Sequence, residues 1–323
     1  MRAIAGITLL MCAPPTLAAG TVPPAGVTEF ATLTAPAGVR SVVFAKTGQL
    51  VGAECADGKL RMWKLPDRSA QREIDLTGRS VDALVMSTDG GQIAIGDHHG
   101  AYTVWDTSTG AIRAQGQLPF YPSAMAFSHD GKTLAIAPTG DPVQLFDVAS
   151  GRKLLELGHA TGGTVALAFS RDDRRIGMGD GDTVVRIYDV RTGALLAHNE
   201  DLKLEPLAVD FSADGSQLMA GGADKIIVAV DTKSGTVVRK SAGAVDPIAY
   251  LEVSADGRWV AAALMLAANL TEPAPVLISE LASGRIVQAW TPANLVRGGT
   301  WTTDGRLLAA TASGNVLHIW RVR

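Results

Sequence analysis

Few residues in this chain have the types and spacing that could do chemistry. The stretch "GDHHG" places Asp97, His98 and His99 together, and imidazole with carboxylate suits zinc or copper. Adjacent histidines on one short turn point apart, however, and no other histidine is near in sequence. Asp210 and Glu252 are a second candidate, since paired carboxylates can coordinate a cation or exchange a proton with a substrate. The plainer reading makes them solvated acids. The chain has no G-x-S-x-G, no H-E-x-x-H, no phosphate-binding loop and no dinucleotide fingerprint. C-x-x-C and C-x-x-C-H are also missing, so redox dithiols and attached haem are not expected. These patterns lead us to expect no catalytic residue, no metal and no cofactor.

Composition sets the class of protein that must position these groups. The 323 residues are 47% hydrophobic with 35 Gly and 15 Pro, enough for a large core rich in turns. A net charge of −3 and no Lys/Arg block argue against nucleic acid as a partner. The first residues, "MRAIAGITLLMCAPPTLAAG", join one basic residue to a short apolar run and then small residues. That is the pattern of a secretory signal, and the run is too short to span a bilayer. We therefore expect residues 1–20 to be removed and residues 21–323 to form one domain, periplasmic or secreted. Cys12 is preceded by bulky Met11, unlike a lipoprotein signal, and after cleavage only Cys55 would remain.

One phrase recurs along the chain. "SHDGKTLAI" at Ser128 returns as "SADGSQLMA" at Ser212, "SADGRWVAA" at Ser254 and "TTDGRLLAA" at Thr302. Its turn position falls at Gly48, Gly90, Gly131, Asp173, Gly215, Gly257 and Gly305, about 42 residues apart until a longer last gap. A second landmark keeps phase at Trp63, Trp105, Phe146, Tyr188, Val230, Ser279 and Trp320. A third keeps phase at Phe44, Met86, Phe127, Phe169, Phe211, Val253 and Trp301. Each unit reads as four short strands joined by Asp-Gly and Thr/Ser-Gly turns, where glycine supplies positive φ. A single such sheet cannot cover both its faces. Seven stacked radially can.

At "VWDTSTG" and "IYDVRTG" the chain resembles the WD-repeat family, over about residues 28 to 323. The resemblance implies an all-β, seven-bladed β-propeller of four-stranded antiparallel blades. It further implies that "TEFATLT", Thr28 to Thr34, completes the last blade, because the final unit supplies only three strands. The family's Gly-His survives only as Gly158-His159, and a full Trp-Asp only at Trp105. No unit keeps the whole His, hydroxyl, Asp and Trp network, so apolar packing should dominate blade stability.

In such a ring, loops between second and third strands and between blades share one face. They carry Asp57, His99, Asp141, Asp182 and Asp224 about six residues before the Trp position, where the aspartates are expected to accept turn N–H groups. The small residues Ser41, Ala83, Ala124, Ala166 and Ala208 are expected to face the channel, with Asp210 and Glu252 as its acids. Two irregular loops suggest partner binding: "QLPFYPS", with Phe120 and Tyr121, and "LMLAANLTEPAPV" in blade six. From the latter we single out Leu264, Leu266, Leu270, Pro273 and Pro275. The expected role is an exported, non-enzymatic scaffold or accessory subunit of the cell envelope, monomeric or within a complex, that binds a protein. The rival is a propeller enzyme or redox accessory serving a quinone or cytochrome partner.

Overall fold

The computed structural model describes residues 26–158, 162–200, 202, 205–223, 225–241, 247–264 and 275–322. Its described residues form seven antiparallel sheets of four strands and no helix. Blade 1 runs from Val39–Phe44 through Leu50–Cys55 and Lys59–Lys64 to Ala70–Asp75, and blades 2 to 6 repeat that order outward. The innermost strands Val39–Phe44, Val81–Met86, Pro122–Phe127, Thr164–Phe169, Ala208–Phe211, Ile248–Val253 and Leu295–Trp301 each contact the next, and the last contacts the first. The ring is closed.

Closure occurs where the sequence places it. Val27–Thr34 pairs antiparallel with Val316–Val322, from Val27 with Val322 to Thr34 with Val316, with one register shift at Phe30. The expected strand gains one residue, Val27. Its side chain is buried with Trp290 and Trp301, while Ala31 and Leu33 are buried against blade 1. One strand thus packs on two blades, which fixes both ends of the chain.

The core is divided into seven apolar clusters, each lying between two adjacent blades. Trp105 packs with Leu60 and Met62 of blade 1, and Phe146 with Tyr102 and Val104 of blade 2. The third-strand landmark therefore seals a blade to the one before it, except in blade 6, where it is Ser279. Its aromatic character follows from the wedge that opens between radial sheets, which a large ring fills.

The recurring phrase has its own structural reason. Ser87 donates to Asp89 at 2.6 Å and accepts the Gln92 N–H at 2.9 Å, while Asp89 accepts the Gly91 N–H. The same relay is repeated at Ser128, Ser170, Ser212 and Ser254, all buried. It satisfies donors that the innermost hairpin would otherwise bury unpaired. Of the family's polar network, blade 7 retains a Trp320 Nε1–H donation to Thr311 at 3.0 Å. Asp173 occupies the glycine position of blade 4 with φ of 56°. Its carboxylate accepts the backbone N–H groups of His129 and Asp130 in blade 3, which offsets the strain of a left-handed non-glycine residue.

Candidate functional site: the channel and the face around its open mouth

The inner strands enclose a cavity of about 740 Å³. Ser41 lines it, but Ala83, Ala124, Ala166 and Ala208 are absent from its wall. Ala166 and Ala208 are buried in the clusters between blades. Sheets stand radially, so each innermost strand turns an edge toward the axis, and its side-chain faces meet the neighbouring blades. Val43, Val85, Ala126, Ala168, Asp210, Glu252 and Thr300 form a band of the wall instead.

Asp210 and Glu252 both line the cavity, as bonded groups of its wall. Lys46, from the innermost turn of blade 1, places its Nζ 2.8 Å from Glu252 Oε1. The Glu252 side chain is only 8% exposed and also accepts the Trp301 N–H at 2.9 Å and the Thr300 hydroxyl at 3.2 Å. The Tyr250 hydroxyl donates to Glu252 as well, and burial with that carboxylate holds the phenol well above its ordinary range. Asp210 accepts the N–H of Val253 at 2.7 Å and of Phe211 at 2.9 Å. Burial opposes the charge on Lys46, but Glu252 and Asp210 outweigh it and raise its pKa. The chain thus supplies its own cation to the acid pair.

This end of the channel is crossed by long side chains. Arg171 of blade 4 passes the small Ala213 of blade 5 and donates to the Ser254 carbonyl of blade 6 at 3.0 Å. His129 lies 3.2 Å from Asp173, and burial together with Lys46 lowers its pKa. All of these bases occupy the residue after the Ser position of the recurring phrase.

Burial and the charge of Glu252 push the Asp210 carboxyl up to about 6, against the pull of Lys46 and two backbone donors. A folded pKa raised above the unfolded value favours the native state at low pH. That contribution is complete below about pH 4 and is lost as pH rises through about 6. We expect Asp210→Asn to flatten the dependence of melting temperature on pH across this window relative to the parent chain. Carbon-13 titration of the Asp210 carboxyl should show a midpoint near 6. A midpoint below 4 would show that the two N–H donors and Lys46 dominate.

At the opposite face, two stretches that the sequence keeps separate meet. The His98 ring stacks on Tyr121 with centroids 4.8 Å apart and planes 20° apart, and His98 Nδ1 lies 3.2 Å from Asp82. Phe120 is 53% exposed and Tyr121 38%, between Pro119 and buried Pro122. The His98 and His99 rings lie 6.5 Å apart, edge to face. No cluster of three or more metal-ligating side chains occurs among the described residues. Leu264 ends the strand Trp259–Leu264 and pairs with Ile248, and Pro275 is buried beside Val276. Pro275 therefore gives no exposed contact, because the strand resumes there. Leu266, Leu270 and Pro273 lie outside the described residues.

Two acids of this face also hold arginines. Asp57 grips Arg61 through two hydrogen bonds of 2.9 and 2.6 Å, and Asp182 holds Arg186 likewise. Each arginine lies four positions after its aspartate, so it reaches back across the turn. Asp97 does accept turn N–H groups, from His99 and Ala101. Asp224 lies outside the described residues.

A family model for "WD domain, G-beta repeat" matches residues 28–64, which include the closing strand and three strands of blade 1. Together with seven four-stranded blades closed by the N-terminal strand, this decides the family. The chain is a WD-repeat β-propeller. It is similar to WD repeat-containing protein SL1-17 of Schistosoma mansoni, with 26% identity over 120 residues. That match covers 37% of this chain and 40% of the relative, so the chain spans about two fifths of the curated relative it matches. WD-repeat propellers in general mediate protein interactions and are typically non-enzymatic scaffolds. No helix among the described residues is long and apolar enough to cross a membrane.

Proposed function

We propose that this WD-repeat propeller is exported and acts as a non-enzymatic scaffold or accessory subunit in the cell envelope. It holds a protein partner on the face that carries Phe120 and Tyr121. The observation that carries this reading is the exposed aromatic pair braced by the His98 stack and flanking prolines. Rigid exposed aromatics lose little entropy on binding and make good anchors. The channel acids are engaged with Lys46, Tyr250 and backbone donors, which favours a structural role for them over turnover.

The double change Phe120→Ala and Tyr121→Ala should weaken partner capture from envelope extract about thirtyfold or more, since an interface anchor contributes at least about 2 kcal/mol. Its melting temperature should stay within about a degree of the parent, because exposed positions away from the core change stability little. Equal capture by both proteins would overturn the assignment of the face. A large drop in melting temperature would show that the aromatics serve packing instead. Export rests on residues 1–20, which lie outside the described residues. N-terminal sequencing of protein from the native cell should begin near Thr21, and intact Met1 on cytosolic protein would contradict it.

A further inference from the structure

Six of the seven innermost strands carry a β-bulge at the same place. The register skips one residue between Val39 and Ser41, Val81 and Ala83, Pro122 and Ala124, Thr164 and Ala166, Ile248 and Tyr250, and Val296 and Gly298. A bulged residue has no partner across the ladder, and its side chain is aimed away from the regular alternation. The skipped residues are Arg40, Asp82, Ser123, Val165, Ala249 and Arg297. The ring they form is uneven. Blades 7, 1 and 2 place charges there, and blades 3, 4 and 6 place small or apolar groups.

Arg40, Asp82 and Arg297 all line the cavity, at the end opposite the Lys46 turn. Two of these charges already have partners. Arg40 lies 3.3 Å from Glu54, which also accepts from Ser41, and Asp82 faces His98. Arg297 is different: it is half-buried, and its Nε is buried without a hydrogen-bond acceptor among the described residues. No described carboxylate forms an ion pair with it within 4.0 Å. Arg297 lines the cavity, and a guanidinium with an unsatisfied buried N–H costs stability where it stands. Guanidinium groups match carboxylates through two parallel N–H···O bonds.

We propose that the open channel mouth is a carboxylate-binding site centred on Arg297, with Arg40 of the adjacent blade as the second positive group. The site lies on the face assigned to the partner and deepens that reading by naming the chemistry it recognises. The carboxylate is supplied by an acidic side chain of a peptide segment or by a free small dicarboxylic acid.

The test uses the purified chain and calorimetric titration at low salt, so it does not depend on partner capture. The probes are succinate, a blocked tetraglutamate peptide and the matched tetraglutamine peptide. Binding of either acid, at least tenfold tighter than the tetraglutamine peptide, is expected. Arg297→Gln should weaken it at least tenfold, Arg297→Lys should restore part of it, and added salt should weaken it in the parent. Succinate binding identifies a free acid as sufficient, whereas binding of tetraglutamate alone assigns the site to a peptide. Arg297→Gln should melt at the same temperature as the parent or higher. No binding of either acid, or binding that Arg297→Gln leaves intact, would overturn the site. A large fall in its melting temperature would also overturn it, by making Arg297 a structural residue. Unchanged partner capture by the Phe120→Ala and Tyr121→Ala double variant, with acid binding intact, would count against the partner reading alone.

Discussion

Deleting Val27–Thr34 is expected to abolish cooperative unfolding and to cause aggregation. The deletion removes the outermost strand of blade 7, leaving the edge of Val316–Val322 unpaired along seven residues. Unpaired strand edges template association with other chains. Val27 and Leu33 are 5% and 4% exposed, so their burial alone contributes about 3–6 kcal/mol, before any ladder hydrogen bond. The His318 to Glu29 contact of 2.7 Å and the Asn315 bond to the Ala35 carbonyl are lost or weakened as well. The loss is comparable to the whole stability of an ordinary domain. Thermal denaturation with light scattering checks it. A truncated chain that melts in one transition near the parent temperature would mean that the strand is not what closes the ring.

Lys46→Met should cost about 2–4 kcal/mol in chemical denaturation. It leaves Glu252 in the channel wall without its cation, and breaking a buried pair on one side strands the other charge. The Lys46 side chain is 31% exposed, so channel water screens the pair and keeps the cost below that of a dry core. Glu252 retains its bonds from Trp301 and Thr300, which is why unfolding is not expected outright. Adding Glu252→Gln to Lys46→Met should recover part of the loss, because the amide oxygen still accepts the Trp301 N–H without a charge. Stability unchanged in Lys46→Met would show that solvent, and not the pair, satisfies Glu252.

What was legible in the sequence was whatever repeats. The Ser-x-Asp-Gly relay and the aromatic seal serve the same local purpose in most blades, so their spacing reveals strand order, turn chemistry and the missing fourth strand. Contacts that occur once have no such signal. Lys46 and Glu252 stand in blades 1 and 6, about two hundred residues apart, and meet only because the ring closes through blade 7. The four alanines assigned to the channel were misplaced because alternation separates the two faces of a strand. It does not say that an edge faces the axis. Bulges leave no mark in composition, so the ring containing Arg40 and Arg297 was hidden. The His98 stack on Tyr121 joins a turn within blade 2 to the loop leading into blade 3, and both stretches were noticed without their contact.

The central claim is that this propeller engages its partner on the face of Phe120 and Tyr121. Hydrogen exchange on the captured complex tests it most directly, compared with the free chain. The account predicts slowed exchange in the turn at His98–Gly100 and in the Leu118–Ser123 segment, with the Ser-x-Asp-Gly turns of the opposite face unchanged. Protection confined to those opposite turns, with the Phe120 loop exchanging as in the free chain, would contradict it.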